Sequence, residues 1–202
     1  MVRDDQPQSP DVTPASLPQE SIVSRRTWWT AILYIAAAAL FFRFYELPLK
    51  PLHHDEGVNT HFLVQLVRAP HSYRYDPANY HGPTLYYFAW ASVALAGLST
   101  VAIRLVTAFA GLATVFLLLS FRRQIGSAGA LGAASLLAVS PGAVYFSRYF
   151  IHEALLVCFT VATVAAAAGW LHGRRAVMLL LAALSAALMF ATKETAVITA
   201  IG

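Results

Sequence analysis

Five long apolar runs, set off by pairs of arginines, constrain this chain more than any other feature of it. They cover residues 27–45, 100–121, 127–146, 153–171 and 176–191, each close to the roughly 20 apolar residues that cross a bilayer as a helix. Inside hydrocarbon the backbone must satisfy its own hydrogen bonds, which restricts such runs to helices or a closed barrel. Composition agrees: 58% of the 202 residues are hydrophobic and 12% are charged, whereas a soluble domain is about half apolar and a quarter charged. The fold class expected is all-α, a polytopic membrane helical bundle.

The basic residues determine how the bundle is oriented. Arg25-Arg26, Arg122-Arg123 and Arg174-Arg175 flank apolar runs, as topology determinants do, because cytoplasmic loops carry the excess of Lys and Arg. A sixth apolar stretch, 84–98, decides the count. If it crossed, two of the three Arg pairs would lie outside; if it stays in the interface, all three are cytoplasmic. At about fifteen residues it is short for a span, so it is read as an interfacial helix in the first outer loop. Residues 58–68 form a second one, with Val58, Phe62 and Leu66 on one face and His61, Gln65 and Arg68 on another. The net charge of +4 therefore reflects orientation, and no basic stripe is present that would track nucleic acid.

Residues 1–24, rich in Pro, Gln, Ser and Asp, bury too little to offset ordering entropy and read as a disordered cytoplasmic tail. Arg25-Arg26 resembles a twin-arginine export signal, but Arg43 and a Pro-rich loop follow the apolar run in place of a cleavage site. Residues 25–202 then form one transmembrane module. The chain stops at Ile201-Gly202, inside an apolar stretch just begun, so a longer protein is expected. Cys158 lies within an apolar run and reads as a small core filler.

With this topology three motifs share the outer side: His53-His54-Asp55-Glu56, Ser147-Arg148-Tyr149-Phe150-Ile151-His152-Glu153, and Thr192-Lys193-Glu194. Ionisable groups beside hydrocarbon are costly and mark functional sites by default. Asp55-Glu56 has two readings, a helix N-terminus carboxylate pair and a general base that takes a proton from a hydroxyl. Glu153 carries the same ambiguity. Arg43, Arg148 and Lys193 place positive charge outside, where topology has no use for it. Either they meet an anion such as a phosphate, or Arg43 and Arg148 pair with Glu46 and Glu153. The Tyr-rich loop 73–83, with Asp76, Asn79 and His81, offers stacking and hydrogen-bonding groups suited to a sugar, or belt tyrosines. The histidines fit no strong metal-ligand spacing, so no metal and no other cofactor is expected.

The order of these motifs resembles the GT-C superfamily of polytopic glycosyltransferases, in the branch of protein O-mannosyltransferases and lipid A aminoarabinose transferases. The resemblance runs through nearly the whole membrane portion: Arg43, Asp55-Glu56, His81-Gly82-Pro83, Arg104-Leu105, Arg122-Arg123, Pro141, Glu153 and Thr192-Lys193-Glu194. The wording His-His-Asp-Glu-Gly-Val-Asn and Tyr-Phe-Ser-Arg-Tyr-Phe-Ile-His-Glu is similar to a group labelled flippase-activity-associated in archaeal-type N-glycosylation. The chain departs from the branch at Glu153, where Asp is common, and at His81, where aminoarabinose transferases have Lys.

The resemblance implies a GT-C-like N-terminal module in the cytoplasmic membrane with its active face outside. It implies an inverting transfer of a sugar from a polyprenyl-phosphate donor to a hydroxyl of a protein, lipid or glycan. Asp55 would be the general base and Glu56 its support; Arg43, His54, His81, Arg148, His152, Glu153 and Lys193 would bind substrate. The competing reading is a non-catalytic protein that helps to handle or flip polyprenyl-linked sugars. Transport is disfavoured, since transporters place ionisable groups near the midplane and these motifs sit at span ends.

Overall fold

The computed structural model describes residues 23–71, 74 and 81–201. Most of the expected tail, and Tyr73, Asp76 and Asn79 of the Tyr-rich loop, lie outside the described residues. The described chain is all-helical: α1 (Arg25–Phe44), α2 (His54–Arg68), α3 (Thr84–Ala96), α4 (Thr100–Leu119), α5 (Arg122–Val139), α6 (Pro141–Ser147), α7 (His152–Gly173), α8 (Ala176–Phe190) and α9 (Ala196–Ile201). Three of these, α1, α4 and α7, are long and apolar enough to cross a membrane, and the bent pair α5 and α6 makes a fourth if it is taken as one span. Large apolar side chains such as Leu33, Leu136 and Leu180 face outward, as a bilayer permits.

The sequence reading of 127–146 as one continuous span needs correction. The helix breaks at Ser140, whose backbone is extended, and resumes at Pro141, bent by 63°. Proline has no N–H to give the preceding turn and its ring clashes with it. The fifth expected span is the 15-residue α8, shorter than a full crossing. α2 begins at His54, four residues before the expected start at Val58, because Asp55 and Glu56 occupy its first turn where the helix dipole favours them. Its buried stripe is also different: Glu56, Asn59, Leu63 and Leu66 point inward, while Val58 is exposed.

Small residues set the packing. Ala130, Ala134 and Ala138 recur at a four-residue spacing on α5, and the last two pack on Ile35, Ala39 and Val115, the close approach on which helix association in lipid depends. At Gly111 of α4, an added Cβ would lie 2.0 Å from Ser147 Oγ and 3.2 Å from Arg43 Nε, so only glycine admits α6 and α1 here. A second core joins Leu63, Leu66, Leu85, Tyr86, Ile103, Phe150 and Leu155, seating α2 and α3 on α4 and α7.

α3 does not run the length of the bundle. At its start Thr84 Oγ1 donates to Ala191 O at 2.7 Å, just past α8. Near its end Ser92 Oγ donates to Ala102 O at 2.6 Å, in the first turn of α4. Both contacts are at one end of the bundle, so α3 lies along that end. The Arg pairs collect at the other, where Arg122 covers the Trp28 ring at 4.8 Å and Arg174 the Trp170 ring at 4.5 Å.

Candidate active site

Arg104 and Glu56 form the buried anchor of the α3 end. Arg104 Nε donates to Glu56 Oε1 at 2.8 Å and Nη2 to Oε2 at 2.7 Å, a bidentate pair of the geometry that guanidinium favours. The remaining Arg104 donors hold the loop after α1: Nη1 reaches Leu47 O and Lys50 O, both at 2.9 Å. Glu56 also accepts from the backbone N–H of His53 at 3.1 Å and of Phe150 at 2.9 Å. Burial pushes the Glu56 carboxyl up, but its hydrogen bonds to Arg104, Phe150 and His53 outweigh that and hold it below the ordinary carboxylate range. One carboxylate thus ties α2, α4, the 47–51 loop and the segment before α7 together.

Asp55, one residue earlier and exposed, turns instead to a cavity of about 510 Å³ shared with His53, Asn59, His81, Tyr145, Tyr149, His152 and Glu153. The residue behind this wall is Tyr149, whose hydroxyl contacts His53 Nδ1 and lies 3.5 Å from Asp55 Oδ2. Burial first, then the Asp55 charge, push the Tyr149 phenol up to about 12, so it keeps its proton at neutral pH. Asn59 supports the floor: its Nδ2 donates to Phe150 O at 2.9 Å and its Oδ1 accepts from the Tyr86 hydroxyl at 3.1 Å.

The far side of the cavity is built by a backbone crossing. Gly82 N–H donates to Thr192 O at 3.0 Å, and His81 and Lys193 form an isolated antiparallel bridge. A Cβ on Gly82 would sit 1.9 Å from Ala191 O, which explains the glycine of His81-Gly82-Pro83. The crossing places the His81 ring 4.6 Å from that of buried His152, whose Nε2 donates to Gly82 O at 3.2 Å. Lys193 Nζ meets Glu153 Oε1 at 2.5 Å, the partner that the sequence reading gave to Arg148.

A second cavity, about 750 Å³, shares His53, Tyr145 and Tyr149 as a wall with the first; apolar side chains make up much of the rest, with Lys50, Arg148 and the Glu56–Arg104 pair also on it. His54 faces neither; it lines an open groove with Gly57, Val58 and His61. The two arginines expected to meet an anion or a glutamate each hold backbone carbonyls. Arg43 is 0% exposed and donates to Leu137 O and Ala138 O at 3.0 Å, carbonyls at the end of α5 beside the break. Arg148 donates to Phe42 O at 2.9 Å, Tyr45 O at 2.7 Å and Glu46 O at 2.9 Å, closing the C-terminus of α1 where cations are favoured.

Asp55, His81, His152 and Glu153 thus converge on one cavity with Lys193 beside it; Glu56 and Arg43 are buried behind, and His54 lies apart. Arg104, Asn59 and Tyr149 carry the site, although the sequence motifs that contain them gave them no role of their own. Arg104 and Asn59 had a signal, since a charge inside an apolar run and a polar residue facing inward on a helix are both costly unless paired. Among the described residues no three His, Cys, Asp or Glu side chains converge as a metal requires.

Residues 80–202, more than half of the chain, match the family model described as dolichyl-phosphate-mannose-protein mannosyltransferase. That segment contains His81, Arg104, Arg148, His152, Glu153 and Lys193 but not Asp55 or Glu56. No curated protein and no solved structure matches the chain.

Proposed function

The chain belongs to the dolichyl-phosphate-mannose-protein mannosyltransferase family, and from that premise we propose that it carries out an inverting sugar transfer at the α3 end of the bundle, with Asp55 as general base. The family consists of membrane glycosyltransferases that draw on polyprenyl-phosphate sugars, and an integral membrane bundle is the structure found here. In the proposed reaction Asp55 takes the proton of an acceptor hydroxyl, whose oxygen displaces the lipid phosphate from the anomeric carbon. The donor's isoprenoid lies toward the apolar side chains of the larger cavity, where Lys50 and Arg148 supply positive charge to the phosphate. The sugar and the acceptor occupy the smaller cavity among His81, His152 and Glu153.

The observation that carries this reading is the convergence of Asp55 and Glu153, 98 positions apart in the numbering, on one cavity that adjoins a larger one. Lys193 offsets the charge of Glu153, and of the two carboxylates on this cavity Asp55 has no cation in contact among the described residues, the state a base requires. Glu56 supports Asp55 through the ion pair with Arg104 that fixes the first turn of α2. The face that bears these residues is extracytoplasmic, and the membrane is the cytoplasmic one.

Asp55→Asn in the full protein is expected to lower transfer from a labelled polyprenyl-phosphate sugar by about 10²-fold or more and to leave donor binding intact. Unchanged turnover would remove the catalytic reading and leave that of a lipid-handling protein, for which a carboxylate at this position has no use.

A further inference from the structure

We propose that Tyr149 and His53 form a relay that carries the proton away from Asp55 after each transfer. The proposal rests on the general-base reading of Asp55. Three observations lead to it. The Tyr149 hydroxyl touches His53 Nδ1 and lies 3.5 Å from Asp55 Oδ2, so the phenol stands between carboxylate and imidazole. Contacts of this kind are often long before substrate binds and tighten in the complex.

Tyr149 is 7% exposed and stacked on Tyr145, and the backbone N–H of His53 is fixed by Glu56; both groups are held in place. Finally, His53 borders the Asp55 cavity, the apolar cavity and the open groove beside His54. A proton that reaches this imidazole has a route to the open groove that does not pass through the substrates held beside Asp55.

The steps balance. The acceptor O–H bond breaks and its proton joins the Asp55 carboxylate, as the new glycosidic bond forms and the C–O bond to the lipid phosphate breaks. Asp55 then gives a proton to the Tyr149 oxygen while Tyr149 gives its own to His53 Nδ1. His53 releases its Nε2 proton to water through the open groove; exchange of the remaining Nδ1 proton for one on Nε2 by way of water, and rotation of the Tyr149 hydroxyl back toward Nδ1, restore the starting states. The high phenol pKa noted above suits this passage, because Tyr149 hands on one proton only as it receives another and never stands as a free phenolate.

The test is steady-state transfer by the full protein in lipid nanodiscs, with a synthetic polyprenyl-phosphate mannose as donor and a hydroxyl-bearing peptide as acceptor. Tyr149→Phe, which keeps the ring packing, and His53→Gln are each expected to lower kcat about tenfold or more, within the range of proton-transfer effects, at unchanged donor KM. In His53→Gly, a residue tolerated at a helix N-cap, added imidazole is expected to restore kcat severalfold. It should do nothing for Asp55→Asn or Tyr149→Phe. Wild-type kcat in Tyr149→Phe and His53→Gln beside an inactive Asp55→Asn would overturn the relay and leave the base in place. A loss in His53→Gly that imidazole does not restore also overturns it, since a packing defect is not repaired that way. Full activity of Asp55→Asn removes both readings together.

Discussion

At Glu56 and Arg104 the chain buries two opposite charges whose worth depends on each other. A pair of this kind contributes little relative to a well-packed apolar substitute, yet removal of one partner leaves a bare charge indoors, at a cost of about 3–5 kcal/mol. Arg104→Ala is therefore expected to destabilise the protein by that amount, read as denaturant or thermal unfolding in detergent. The pH dependence has a definite sign. The folded-state pKa of Glu56 lies below its unfolded value, so its stabilisation is complete at neutral pH. It begins to fall as pH drops below the ordinary carboxylate value of about 4.3 and is lost through the depressed folded value. Glu56→Gln should flatten that acid limb in a melting series from neutral pH downward. The same residue shows what sequence could not yield. Asp55 and Glu56 are adjacent and chemically alike, and only the 100° turn of a helix sends one to a cavity and the other to an arginine 48 positions away.

Elements were legible wherever apolar length carried the information, and least so where polar residues face inward. The 84–98 run was too short to cross, and α3 indeed lies along one end of the bundle. On α2 the apolar stripe Val58, Phe62 and Leu66 was the natural one to read, but Glu56 and Asn59 belong to the buried side because they have buried partners. Periodicity alone assigns such positions to solvent. The break before α6 was marked by Pro141, yet a proline at the end of a long apolar run also fits a simple helix end. Gly82 offers the sharpest test at this scale. With Ala191 O 1.9 Å from an added Cβ, and backbone on the other side unable to yield as a side chain does, Gly82→Ala is expected to part the crossing between α3 and the segment after α8. Loss of both transfer and thermal stability in Gly82→Ala, compared with Gly57→Ala where nothing lies within 4 Å, checks this.

For the molecule as a whole, the Arg pairs oriented every span from sequence, and the structure places them at the end opposite the candidate site. Cysteine labelling in intact cells addresses sidedness directly. His54→Cys, on the exposed start of α2, should react with an impermeant thiol reagent applied from outside, and His172→Cys, at the far end of α7, should be protected. The native Cys158 is buried and should add little background. The opposite pattern would put the cavity in the cytoplasm.

The crossing of Gly82 with Thr192 has a consequence for how such a protein is made. Thr84 and its acceptor Ala191 are 107 positions apart, and at a translation rate of about 5–20 residues per second the ribosome needs roughly 5–20 seconds between them. Throughout that interval the wall carrying His81 has nothing to close against. The nascent chain meets the bilayer with this cavity open, and the hairpin of α7 and α8 is the one that shuts it.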